Sequence, residues 1–254
     1  MSVEVTVEGH VLVATINRPE ARNAVDGEVA RGIEAAIDRL EADSGLWIGI
    51  LAGAPPVFSA GADLKVIAAG GFAELATARG GFAGITRRER TKPIVAAVDG
   101  PALAGGTEIV LSCDLVVASE AASFGVPEVK RSLVAAGGAL FRLPSRVPFN
   151  VAMEWVLTGD PVDAATALRH GLVNRLCPPG GALEAAMALA ERVTANAPVA
   201  VRESRRAMLA ARGADEARGW ELSDAAMSAA MGSADFGEGL AAFIEKRPPA
   251  WTGR

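Results

Sequence analysis

Within Gly105–Val129, the stretch GGTEIVLSCDLVVASEAASFGVPEV sets three glutamates (Glu108, Glu120, Glu128) and Asp114 among Ile, Val, Leu, Ala and Cys, with no Lys or Arg. An ionised carboxylate loses heavily on leaving water, so acids in such a setting are solvated, structurally paired or chemical. Two carboxylates that share a pocket can take a proton from one atom while giving one to another, which is general acid–base chemistry. Other chemistries have few candidates. His10 and His170 are the only histidines, and there is no HExxH, CxxC, GxGxxG, GxxxxGK[ST] or GxSxG pattern. This argues against a metal centre, the usual phosphate cradles and a serine nucleophile elbow. Each histidine reads as structural.

Two small-residue turns accompany the acids. Pro56–Lys65, PVFSAGADLK, places Ala60-Gly61-Ala62-Asp63 at the start of a short helix, and Asp99–Asp114 places Ala104-Gly105-Gly106 before an apolar one. Helix-start N–H groups lack intrahelical acceptors, and small side chains let a ligand reach them, a pattern suited to an oxyanion or phosphate. Each feature also has a plainer reading. Ala60–Asp63 makes an ordinary turn with Asp63 favouring a helix N-terminus; Glu108 does the same and faces water. Glu128, after Pro127, is a loop acid paired with Lys130 or Arg131.

The elements that must carry these turns follow from periodicity. Val3–Val7 and Val11–Ile16 alternate around Glu8-Gly9-His10 as a β-hairpin, and Asp26 caps a helix over Gly27–Glu41. Trp47–Ala52, Ile94–Val98 and Asp114–Ala118 read as buried strands, with a helix between Gly106 and Ser112. After about Ala135 only Leu172–Leu176 reads as strand. Helices are expected at Leu183–Asn196, Pro198–Arg212, Asp215–Met231 and Phe236–Lys246. The Ala/Gly-rich Ile67–Ile85 reads as a loosely held helix or lid. The result is an α/β core over residues 1–195 and a helical region over 196–254.

Composition narrows the partners. The chain of 254 residues has 25 basic and 30 acidic side chains, net −5, with lysine only at positions 65, 92, 130 and 246. No global field attracts nucleic acid or anionic lipid. Cys113 and Cys177 stand far apart in apolar contexts and read as buried thiols. No leader pattern or long apolar span occurs, so a cytoplasmic protein without a membrane segment is expected. Arg18 and Lys92 read as surface charges.

INRPEARNAV (Ile16–Val25), FSAGADLK (Phe58–Lys65), AGGTEIVLSCDLVVASEAASFGVPEV (Ala104–Val129) and FGEGLAAFIEKRPP (Phe236–Pro249) together resemble the crotonase superfamily, most closely its enoyl-CoA hydratases. The resemblance covers essentially the whole chain and keeps the motif order. It implies a crotonase (ClpP-like) spiral of ββα units followed by a C-terminal helical trimerisation region, assembled as a homotrimer or hexamer. It implies backbone N–H groups of Ala62 and Gly105 as the oxyanion hole for a thioester enolate. Glu108 would activate water, and Glu128 would supply the proton to C2. Ala21, Arg22, Ala60, Asp63, Leu64, Lys65, Ala136, Phe243 and Lys246 would contact coenzyme A or the acyl group, the last two from a neighbouring subunit. Coenzyme A is then part of the substrate, and no separate cofactor or metal is implied.

The implied reaction is syn addition of water to a trans-2-enoyl-CoA, giving a 3-hydroxyacyl-CoA in fatty-acid or related acyl-CoA degradation. The alternatives are a sister reaction, enoyl-CoA isomerisation or dehydration of a hydroxyacyl-CoA such as carnitinyl-CoA, and a non-catalytic acyl-CoA-binding scaffold. Retention of both acids favours hydration. The sequence departs from the hydratases at Ala135-Ala136, where Pro-Gly is common, and in the segment after Lys65. At Ala136 a backbone N–H is expected to keep the water contact. Glu120 is expected in a solvated turn, and Asp114 as a structural carboxylate.

Overall fold

The computed structural model describes residues 2–254 except Asp215, and the side chains of these except Glu216, Ala217 and Phe243. Strands β1 (Val3–Glu8) and β2 (Val11–Ile16) form the expected hairpin, followed by helix α1 (Gly27–Ala42) and strand β3 (Ile48–Gly53). Then come α2 (Leu64–Ala68), a small hairpin of β4 (Ala76–Thr77) and β5 (Gly81–Phe82), β6 (Ile94–Val98), β7 (Pro101–Leu103) and α3 (Gly105–Ser112). Strands β8 (Leu115–Ser119) and β9 (Ser123–Gly125) precede α4 (Ala139–Arg142), α5 (Phe149–Thr158), β10 (Val162–Asp163), α6 (Ala164–Arg169) and β11 (Arg175–Cys177). The chain ends in α7 (Ala182–Thr194), α8 (Pro198–Ala210), α9 (Glu216–Met231) and α10 (Ala234–Glu245).

The main sheet has the order β1-β2-β3-β6-β8-β11, parallel apart from the β1–β2 hairpin. Side chains alternate across it. Leu12, Ala14, Ile16, Leu51, Ile94, Ala96, Val98, Val116 and Ala118 face the larger core with α1 and α3. Val11, Val13, Ile48, Ile50, Val95, Ala97 and Val117 face α7, whose Ala182, Ala186 and Ala190 let the helix lie close. Burial on both faces explains the near-continuous apolar runs, and each fully buried aliphatic side chain contributes roughly 1.5–3 kcal/mol. A second sheet, β10-β9-β7, extends through single bridges from Ala102 to Ser59 and from Ala62 to Val25. It therefore gathers the turn at Ser59–Ala62, β7 leading into α3, and β9 leading to Glu128.

Several expectations are corrected. Ile67–Ile85 is not one helix or lid: it comprises the end of α2, a 3₁₀ turn at Phe72–Leu75 and the β4–β5 hairpin, pinned by buried Leu75, Ala83 and Ile85. Glycines with positive φ at 70 and 81 break the helical run. Lys92 is no surface charge. It is buried, and its Nζ donates to the carbonyls of Leu40 (2.6 Å) and Asp43 (2.7 Å) at the C-terminus of α1. Cys113 is buried, but Cys177 is only half-buried. Strand β11 begins at Arg175, later than expected, because Leu172 and Val173 are used in the core before it. Helix α9 begins at Glu216; the expected start at Asp215 lies outside the described residues.

His10 stacks on Trp47 at 3.5 Å between ring centroids, and His170 packs edge-on against Trp155. Both are structural, as their contexts suggest. Asp114 joins three elements, accepting from Arg90 (2.5 Å), the Ile94 N–H (2.8 Å) and Arg205 of α8 (2.9 Å). Although burial opposes it, these partners hold its carboxyl below the ordinary value. The helical region is thereby anchored to the core. Glu120 is exposed.

Candidate active site

Glu108 lies in the first turn of α3 yet is only 5 % exposed, so the solvent-facing alternative fails. Its side chain turns toward residues 137–139, where the Ala139 N–H donates to Oε1 (3.2 Å) and the Gly137 N–H also contributes. A Cβ on Gly137 would stand 2.4 Å from Glu108 Oε2, so only glycine leaves room for the carboxylate. Burial pushes the Glu108 carboxyl up to about 7; the nearby Glu128 charge adds to this, and the two N–H groups and Arg142 oppose it.

Glu128 sits in the 3₁₀ turn Pro127–Arg131 and is half-buried. Its expected partner Lys130 pairs instead with Asp160 (2.5 Å). One oxygen, Oε2, is buried with no hydrogen-bond partner among the described residues, and burial raises the Glu128 carboxyl above its ordinary value. A half-buried acid with a buried, unused acceptor oxygen beside a buried acid is the kind of group that a small polar molecule completes. Thr107 holds the two acids in one frame: its Oγ1 donates to Ala102 O (2.6 Å) and accepts from Gly125 N–H (2.9 Å), fastening α3 to the strand that leads to Glu128. Nothing in the sequence marks Thr107 apart from its place beside Glu108.

The N–H groups of Ala62 and Gly105 have no acceptor among the described residues. They belong to neighbouring turns, since a Cβ on Gly61 would come within 2.7 Å of Gly105 N. The Phe82 ring covers Gly105 closely enough that a Cβ there would meet it at 2.5 Å. Ala104, at φ 52° and ψ −125°, turns β7 sharply into α3 and leaves Gly105 N–H free. Such a conformation costs a non-glycine residue about 1–3 kcal/mol. Ala104→Gly is therefore expected to raise the melting temperature, by the equivalent of about 1 kcal/mol after glycine's own entropic cost. A fall in Tm would show that the turn is unstrained.

The remaining expected contacts are placed as follows. Asp63 caps α2, accepting from Lys65 N–H (3.0 Å), and pairs with Arg18 (3.3 Å). Arg18 also holds Asp26 (3.1 Å) and Ala24 O (2.7 Å), so it is a half-buried strut rather than a surface charge. Ala60 N–H donates to Arg22 O (3.0 Å), and the backbone N–H and C=O groups of Ala21 and Arg22 are all engaged within the chain. Leu64 and Lys65 are exposed beside the Ala62 turn. The Ala136 N–H is not available to water: it donates to Val134 O (2.9 Å), because residues 134–136 close a tight turn. The N–H groups at the acids come from Gly137 and Ala139 instead. Lys246 is exposed just past α10, which packs on α9, and the Phe243 side chain lies outside the described residues.

Asn23 had no place in the functional reading. It is fully buried, and its Nδ2 donates to Ala54 O (2.7 Å) and Val57 O (2.6 Å), while its own carbonyl accepts from Ser59 Oγ (2.8 Å). With Arg18 it binds the 18–25 loop to the turn that presents Ala62. In sequence it is indistinguishable from an ordinary turn asparagine.

A buried and a half-buried acid whose charges couple, on the same sheet-and-helix frame as two N–H groups without acceptors among the described residues, are groups of the kind that acid–base chemistry uses. Comparison with known proteins narrows this. A family model described as Enoyl-CoA hydratase/isomerase matches residues 6–254, and the chain belongs to that family. It is 39% identical to enoyl-CoA hydratase EchA19 of Mycobacterium tuberculosis, across 97% of this chain and 94% of that protein. It is 34% identical to carnitinyl-CoA dehydratase of Proteus mirabilis, across 100% and 99%. A crystal structure of enoyl-CoA hydratase from M. tuberculosis H37Rv superimposes with a TM-score of 0.95 at 47% identity, covering 100% of this chain and 99% of that one.

Proposed function

We propose that this protein hydrates a trans-2-enoyl-CoA, with Glu108 and Glu128 as the acid–base pair and the Ala62 and Gly105 N–H groups as the oxyanion hole. The observation that supports this reading is buried Glu108 with the charge of half-buried Glu128 acting on it, the latter with a buried, unused oxygen. Water held between them loses a proton to one carboxylate as its oxygen bonds to C3. The electrons move to the thioester oxygen, where two N–H donors, each worth about 3–4 kcal/mol in such sites, hold the enolate. The proton reaches C2 from Glu128 on the same face, giving the 3-hydroxyacyl-CoA. In reverse, the same groups dehydrate a 3-hydroxyacyl-CoA, which fits the relatives named carnitinyl-CoA dehydratase.

Exposed Lys65 is offered as a contact for the coenzyme A phosphates. Exposed Met227, Met231, Leu240 and Ile244 on α9 and α10 are offered as surface that a trimer or pair of trimers covers. Among the described residues, no helix is long and apolar enough to cross a membrane.

Loss of the conjugated enoyl-thioester absorbance over a panel of enoyl-CoAs tests the reading; retained CoA-ester binding without hydration or dehydration of any panel member would favour a scaffold. The pair also predicts a pH profile. Hydration needs one acid ionised and one protonated. Burial holds the last proton on the pair until about 7, so kcat/KM should fall as pH rises through about 7 and fall again where the second proton binds. A profile flat between about pH 6 and 8 would count against it.

A further inference from the structure

Arg142 on α4 is the cation whose charge acts on Glu108 and that the mechanism leaves unused. Its Nη2 donates to Thr86 O (2.6 Å), and its Nη1 donates to Gly137 O (3.2 Å) and Ser112 Oγ (3.3 Å). Ser112 Oγ in turn donates to the backbone carbonyl of Glu108 (2.7 Å). Gly138 adopts φ +118°, and a Cβ there would fall 2.1 Å from Arg142 Nη1. The chain has thus left a glycine-sized gap for the guanidinium. One side chain joins the buried Thr86, just after the β4–β5 hairpin, to the turn whose N–H groups hold the Glu108 carboxylate and to the helix that carries Glu108.

Resting on the hydratase reading, we propose that Arg142 is a positioning residue for Glu108: by clamping the 137–139 turn between Thr86 and Ser112 it sets where the carboxylate stands. A planar fork with several donors suits this task in a way a lysine point charge does not. The charged groups facing Glu108 are Glu128 and Arg142. Those facing Arg142 are Glu108, Arg146, Arg90 and Arg212. Among the groups on Glu108, Arg142 is the cation that eases its ionisation against burial and against Glu128.

The test compares wild type, Arg142→Met and Arg142→Lys, with folding checked by melting temperature. Carboxyl carbons are followed by 13C NMR in protein labelled at glutamate, and the Glu108 signal is assigned by its absence in Glu108→Gln. In Arg142→Met the Glu108 midpoint is expected to rise, since a cation that lowers it is removed and the turn that holds the carboxylate is unclamped, and the alkaline limb of kcat/KM should move with it. In Arg142→Lys, kcat is expected to fall about tenfold or more with KM within about threefold, since the turn loses its clamp but keeps a charge. A Glu108 midpoint unchanged in Arg142→Met overturns the proposal. If that variant does not fold, an unchanged kcat in Arg142→Lys overturns it. The NMR midpoint needs no turnover, so a failure of the hydratase reading would appear separately, as wild-type protein inactive on every enoyl-CoA.

Discussion

Glu108→Gln should lower kcat by more than about 100-fold and, at pH 8, make the protein more stable than wild type. The two effects share one cause. Glu108 is 5 % exposed and its carboxyl is pushed up to about 7 by burial first and by Glu128 second. Its folded-state value lies above the ordinary value of 4.5. The sign follows: its contribution is fully present below about 4.5 and is lost as pH rises through about 7, where folding requires a buried charge. Glutamine has the same shape and no charge, so at pH 8 the variant gains on the order of 2 kcal/mol. At pH 5 the carboxyl is protonated and the difference should nearly vanish. Thermal denaturation at both pH values, alongside enoyl-CoA hydration, checks both parts. Equal stability at pH 8 would mean that the carboxylate is better solvated than its burial indicates. Glu128→Gln should cost a comparable factor in kcat, since hydration delivers one proton for each it removes; full activity in either variant would remove that residue from the mechanism.

Gly137→Ala should lose about 100-fold in kcat while barely altering the melting temperature. The new Cβ would lie 2.4 Å from Glu108 Oε2 and 2.8 Å from its Cδ. These atoms end a flexible side chain, so the strain is relieved by moving the carboxylate rather than the backbone. A displacement near 1 Å at a reacting group costs about 10²-fold. The specificity of the effect is checked by a double-mutant cycle: in a Glu108→Gln background, adding Gly137→Ala should lower kcat little further, because the group it displaces no longer reacts. Additive losses would locate the damage elsewhere.

The fold was largely legible in the residues. Buried strands at Trp47–Ala52, Ile94–Val98 and Asp114–Ala118 are marked by unbroken apolar runs, and they occur as parallel neighbours within one sheet. Asp26 caps α1 as its type suggests, accepting from Val29 N–H (2.9 Å). The misreadings have physical reasons. Alanine favours helix, so Ile67–Ile85 reads as helical until the positive-φ glycines and the β4–β5 pairing override propensity. Lys92 reads as a surface charge because its carbonyl partners at Leu40 and Asp43 are distant in sequence, and Arg18 because the carboxylate of Asp63, which joins its nearby partners Ala24 and Asp26, is distant too.

The candidate site divides along the same line. The acids of Gly105–Val129 and the small-residue turns at Ala60–Asp63 and Ala104–Gly106 stand out by residue type in an apolar context, while the choice of Glu108, Glu128, Ala62 and Gly105 and the reaction class come from the resemblance to the crotonase superfamily. That the Glu128 charge acts on Glu108, that Gly137 and Ala139 rather than Ala136 present N–H groups to Glu108, and that Thr107, Asn23 and Arg142 brace the frame depended on contacts between distant segments. By itself, then, the sequence determined the chain's elements, its family resemblance and the kind of chemistry available. Only the tertiary structure decided which carboxylates leave water together, since protonation and position are set by burial and by hydrogen bonds that no single stretch of chain contains.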